Sequence, residues 1–140
     1  EWAEVHGSFY GTSKKSVQRY LDEGKLVLFD IDVQGFKILK SKLPHLITSV
    51  FITTKDIKTL KARLEGRGTD TKDVIEKRLI NAEKEVSFIH EYDYMIINEN
   101  LKTSQEALYY IARSAIYKSK LTDASEIKNN WNISALTANN

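Results

Sequence analysis

Apolar and polar positions along the chain alternate between two periods, one helical and one extended. Val17, Tyr20 and Leu21 recur at i, i+3, i+4, which predicts a helix from Ser13 to Glu23 that Gly24 stops. Before it, Trp2 to Tyr10 reads as one or two short strands broken at Gly7-Ser8. "LVLFDID", residues 26–32, is an almost continuous apolar run ending in two aspartates, the pattern of a strand buried on both faces of a parallel sheet. Phe36, Leu39 and Leu43 share one face of a short helix from Gln34 to Leu43, halted at Pro44, the single proline. "LITSVFI", 46–52, predicts a second buried strand. A helix from Asp56 to Glu65 follows, with Ile57, Leu60 and Leu64 inward.

The longest predicted helix runs from Thr71 to about Ile89. Its apolar residues Ile75, Leu79, Ala82, Val86 and Ile89 step four, three, four, three. "YMIIN", 94–98, predicts a third buried strand. Thr103-x-x-Glu106 has the form of a capping box opening a final helix with Leu108, Ile111, Ala112 and Ala115 in one stripe. Beyond Lys120 the chain is polar and aperiodic, a tail in which Trp131 and Ile133 are the residues able to dock.

Strands alternating with helices predict an α/β domain built on a parallel sheet. Such sheets bind ligands beyond the carboxyl ends of their strands. Asp30, Asp32 and Asn98 fall at or just past those ends, so one polar edge is expected to carry the chemistry.

Composition narrows the picture. A chain of 140 residues fits one domain with, at most, a small subdomain. It has no cysteine, hence no disulfide framework or thiolate metal site, which fits a reducing, cytoplasmic setting. No apolar run approaches the roughly 18 residues of a membrane span. Glu1, Trp2, Ala3 and Glu4 do not form the basic start of a signal peptide. Opening on Glu1 suggests a chain that has been cut, processed or recorded in part. The net charge of +2, with 21 basic and 19 acidic residues well mixed, argues against nucleic acid and anionic membrane as partners.

"RLEGRGTDT", 63–71, places Arg63 and Arg67 four apart on one helical face. Gly66 and Gly68 flank Arg67 and would let the backbone bend there. Arg78 lies on the next helix and comes close if the two helices form a hairpin. Guanidinium groups fork onto phosphate oxygens and stay charged at any working pH, so three converging on one cavity would stabilise a transferring phosphoryl group. The plainer alternative is a helical turn with solvated charges, since Glu65, Asp70 and Asp73 are near enough in sequence to pair with each arginine. Spacing alone slightly favours that alternative.

Asp30 and Asp32 would point to the same side of a strand. Two acids at a buried edge are costly without partners, which favours a functional reading over a capped strand end. "EWAEVHGSFYGTS", 1–13, mixes an acid, a tyrosine and hydroxyls around glycines. Its carboxylate could accept from the two-donor edge of guanine, but an ordinary exposed hairpin has the same residues. His6, His45 and His90 are isolated and show no ligand spacing, and His90 fits a helix C-terminus better than a metal site. No nucleophile–base pair is found. No G-x-x-x-x-G-K-[ST] occurs, so the arginines have no phosphate cradle within these residues.

Taken in order, "EWAEVHGSFYGTS", "LFDIDVQG", "RLEGRGTDT", "KRL" and "IIN" closely resemble the guanylate kinase family, from Glu1 to about Lys118. The resemblance implies a P-loop nucleoside monophosphate kinase-like parallel sheet flanked by helices, with a helical lid. Residues 1–120 would form the kinase-like domain, 1–29 part of the GMP-binding region, about 63–78 the lid, and 121–140 a polar tail. The implied reaction moves the γ-phosphoryl of ATP to GMP, with Mg²⁺, in purine nucleotide metabolism. By the resemblance, Glu1 and Asp32 read guanine, Thr12 reaches the base and Tyr10 the GMP phosphate. Asp30 faces the magnesium and phosphates through water. Arg63, Arg67 and Arg78 close over the phosphates, and Asn98 lies beside adenine.

The family's first core strand, its P-loop with the lysine, and the arginines and a tyrosine that hold the GMP phosphate have no counterpart in these 140 residues. The chain alone is therefore expected to be inactive. The strand edges flanking the missing strand are expected to pair with each other, with another copy or with a separate N-terminal piece. Thr53-Thr54 stands where a Pro-Pro pair is common, and Phe9 where a second tyrosine is common. A non-catalytic guanylate-kinase-like module that binds partner proteins is the alternative. It fits less well because such modules usually lose lid arginines or GMP-site acids, and Glu1, Asp32, Arg63, Arg67 and Arg78 are all present.

Overall fold

Two short strands running the same way make the sheet that organises the chain: β3, Val50–Thr53, and β4, Tyr94–Ile97, paired in register from Val50 opposite Tyr94 to Thr53 opposite Ile97. They are preceded by an antiparallel hairpin of β1, Trp2–Val5, and β2, Ser8–Gly11. The computed structural model describes residues 2–5, 8–11, 14–121 and 123–131; of 2–5, 8–11, 14 and 120 it describes the backbone alone.

Helices follow the predicted order. α1 spans Lys14–Asp22 and ends at Gly24, whose φ of 70° suits glycine. α2 spans Val33–Lys42, α3 Ile57–Arg67 and α4 Lys72–Val86. A 3₁₀ turn, Ile89–Glu91, continues past α4 and carries His90. α5 spans Leu101–Ala115, and a short α6, Ser125–Asn130, forms within the stretch expected to be a loose tail. Trp131 there is 85% exposed, so it does not dock; Ile133 lies outside the described residues.

α5 starts earlier than the apparent capping box. Asn100 Oδ1 accepts from the Thr103 backbone N–H at 3.1 Å, which makes Asn100 the N-cap and puts Thr103 inside the first turn. α3 is capped in the same manner by Asp56, whose carboxylate accepts from Thr59 N–H at 2.7 Å. That hydrogen bond holds the Asp56 carboxyl below its ordinary value.

The larger difference concerns residues 25–32, which belong to no helix and no strand. They make no ladder with β3, whose pairing is with β4 alone among the described residues. The expectation that these two edges pair with each other is therefore not met. A strand exists only by the hydrogen bonds of a neighbour, and an apolar pattern cannot supply one. Leu28 is 72% exposed and Ile52 on β3 is 52% exposed, although both fall in runs that read as buried on two faces.

The buried set is correspondingly small: Val33 and Phe36 from α2, Leu64 from α3, Ile75 from α4, Ile96 from β4 and Ala115 from α5. Ile57, expected inward, is half exposed. The chain's accessible surface is 11547 Å². What joins α2 to the sheet is aromatic. Tyr92 stacks on Phe36 with ring centroids 3.9 Å apart and meets the edge of Phe51 at 5.1 Å.

Candidate functional site

The arginine-bearing helices pack as a hairpin, α3 against α4, with Leu64 and Ile75 the buried residues of each. α3 runs far enough to put Arg63 and Arg67 together on one exposed face, while Leu64 is buried. The turn is made by Gly68, the C-cap of α3 in the left-handed region at φ 65°. Gly66 sits within the helix and contributes no turn, so the bend expected on both sides of Arg67 occurs only after it. Arg78 on α4 reaches back to this turn, its Nε 3.3 Å from Asp70 Oδ2. The hairpin that the spacing left conditional is thus formed.

The α3–α4 hairpin is connected to the sheet edge by Arg63. Its Nη2 donates to the Glu99 carbonyl oxygen at 3.5 Å, a long contact, and Lys55 Nζ stands 3.9 Å from the Glu99 carboxylate. Glu99 adjoins Asn98, whose backbone N–H donates to the Thr53 carbonyl at 2.7 Å and closes the carboxyl end of β3 and β4. Arg63 and Asn98 therefore share the end of the sheet at which parallel sheets take ligands.

Asp32 serves as the N-cap of α2, its Oδ1 accepting from Gly35 N–H at 2.9 Å. Gly35 matters to that geometry, because a Cβ there would sit 3.1 Å from the Ile31 Cβ and 3.4 Å from the Asp32 carboxylate. Asp30 is exposed in the irregular stretch before it. Because 25–32 is not a strand, the predicted same-side alternation of the two acids is replaced by a cap and a solvent-facing carboxylate. No hydrogen bond or ion pair among the described residues links either acid to Arg63, Arg67 or Arg78. Glu1 and Thr12 lie outside the described residues, and Tyr10 is described only as backbone of β2.

Two side chains of this region are not singled out by the pattern. Asp70 was visible only as one of several acids near the arginines. Tyr92 gave no periodic signal, yet its hydroxyl pKa is pushed up to about 12, chiefly by burial and then by the charges of Glu85, Asp32 and Glu91. The Asp32 charge is thus one of those that reach the Tyr92 hydroxyl. Among the described residues no three His, Cys, Asp or Glu side chains converge on a metal. No helix among them is long and apolar enough to cross a membrane.

Comparison with known proteins gives one answer. The guanylate kinase family model matches residues 1–115. The guanylate kinase of Campylobacter jejuni strain RM1221 is 53% identical over 132 residues, covering 94% of this chain and 64% of the relative. That of Helicobacter pylori strain 26695 is 50% identical over 131 residues, covering 94% and 63%. Among solved structures, guanylate kinase from Anaplasma phagocytophilum superposes with a TM-score of 0.76 at 27% identity, over 94% of this chain and 63% of that one. The expected P-loop kinase-like α/β fold is in keeping with this superposition. The chain thus spans less than two thirds of the length of these relatives. With a family match over most of its length, about half its residues shared with bacterial relatives and the fold in common, the chain belongs to the guanylate kinase family.

Proposed function

We propose that these 140 residues carry the lid and part of the GMP-binding region of an ATP:GMP phosphotransferase, and that turnover requires a P-loop supplied by further chain. The observation carrying this reading is the placement of three arginines on the α3–α4 hairpin, with Arg63 meeting the loop beside Asn98 at the carboxyl edge of the parallel sheet. Phosphoryl transfer asks the protein mostly for positioned positive charge around a dispersed negative one. Arg63, Arg67 and Arg78 provide it for ATP and the transferring phosphoryl, Asn98 flanks adenine, and Glu1, Tyr10, Thr12 and Asp32 hold GMP. Asp30 is a hard oxygen donor of the type Mg²⁺ accepts, and the ion would arrive on the triphosphate with Asp30 reaching it through water.

Within this reading 1–120 is the kinase-like domain, with 1–29 on the GMP side and 63–78 as lid, and 121–140 is an appendage. The exposed apolar run 26–31 and the free edge of β3 accept a further strand, from a separate N-terminal piece or a second copy. The test is a chimera in which this chain replaces the matching region of the Campylobacter jejuni enzyme. GMP-dependent ADP formation, absent with AMP and absent for the 140 residues alone, is the expected result. A folded chimera without turnover would contradict the reading.

A further inference from the structure

The ion pair between Arg78 and Asp70 differs from the others on the surface. Acids such as Glu23, Glu65, Glu91 and Asp93 are 39% to 56% exposed in their ion pairs. The Asp70 side chain is only 17% exposed, while Arg78 opposite it is 52% exposed. The acid is thus set back in the turn and the guanidinium stands forward. The 3.3 Å contact is made to Nε, the inner corner of the fork. A guanidinium has five donors in a rigid plane; the carboxylate is ion-paired at the Nε corner, and the outer Nη pair stays available for bidentate contact with an oxyanion.

Asp70 directly precedes Thr71, the N-cap of α4, and follows closely on the Gly68 turn, so its position moves with the hairpin as a unit. Thr71 makes no side-chain capping bond. From these relations, and resting on the phosphoryl-transfer reading above, we infer that Asp70 is a positioning residue of the lid, which holds Arg78 by Nε and presents its Nη edge to a polyphosphate.

The alternatives predict opposite signs. If Asp70 acted only through its charge, removing it would take a repelling anion away from the site and tighten polyphosphate binding. If it only stabilised the start of α4, its loss would lower the melting midpoint and leave affinity alone. A positioning role weakens affinity in spite of the lost repulsion.

The experiment uses the whole 140-residue chain labelled with ¹⁵N-arginine, titrated with sodium tripolyphosphate, in wild type, Asp70→Asn and Asp70→Glu, with Arg78→Lys to assign the signal. The expected results are an Arg78 Nε–H resonance that shifts with tripolyphosphate in wild type, and an affinity lower by on the order of fivefold in Asp70→Asn, partly restored in Asp70→Glu. The melting midpoints of the three should agree. Equal or tighter binding by Asp70→Asn would overturn the inference, and so would a wild-type Arg78 signal indifferent to tripolyphosphate. The phosphoryl-transfer reading stands or falls separately, on GMP-dependent turnover by the chimera.

Discussion

Tyr92 lies against Phe36 at a centroid separation of 3.9 Å with the ring planes 20° apart, and this stack is one joint between the helix capped by Asp32 and the parallel sheet. The ring of Phe51 closes the other side at 5.1 Å. The joint therefore sets where the Asp32 carboxylate sits relative to the sheet edge.

That joint titrates at high pH. The folded state holds the Tyr92 hydroxyl neutral, its pKa raised from 10.0 to about 12 by burial first and neighbouring acids second. Folding thus favours the protonated form, so the contribution is fully present below pH 10 and is lost as pH rises toward 12. A late tyrosinate step in an alkaline absorbance titration, missing in Tyr92→Phe, is the expected outcome. Tyr92→Ala, which also removes the stack, should cost about 2 kcal/mol in urea unfolding.

Asp32 has a structural and a proposed chemical task that substitutions can separate. Asparagine caps a helix about as well as aspartate, whereas alanine costs about 1 kcal/mol. Asp32→Asn should therefore keep wild-type stability and lose GMP affinity, because an amide NH₂ cannot accept from guanine as the second carboxylate oxygen would. Asp32→Ala should lose both. Urea midpoints and GMP calorimetry on the two variants check this, and unchanged GMP affinity in Asp32→Asn would make the residue a cap only.

Much of this arrangement is legible in the residues, and the parts that are not share a cause. The four-three steps of Ile75, Leu79 and Ala82 predict α4, because a helix satisfies its backbone within its own segment. The same holds for α2, α3 and the exposed face carrying Arg63 and Arg67. "LVLFDID" fails as a strand because its ladder needs a neighbour, and the pattern says nothing about whether one is present. The start of α5 was misjudged because Asn100 and Thr103 are both good caps, and only the 3.1 Å bond decides between them. Asp70 could not be chosen from Glu65 and Asp73 without the turn that Gly68 makes.

The exposed edges carry a prediction of their own. Leu28 and Ile52 leave apolar surface beside unpaired backbone, the arrangement that recruits another strand. Sedimentation should show a mean mass that rises with protein concentration. The double variant Leu28→Lys, Ile52→Lys should lower it toward the monomer, since inserted lysines oppose edge pairing. A monomer mass at every concentration would rule out a second copy as the strand that these edges accept.

The measurement that tests the central claim most directly is calorimetric titration of GMP into the 140-residue chain at modest salt. A GMP site containing Glu1, Tyr10, Thr12 and Asp32 predicts saturable heat that AMP does not compete away, because adenine lacks the two-donor edge that the acids would read. Absence of a GMP signal, or equal competition by AMP, would contradict the assignment of these residues to a GMP site.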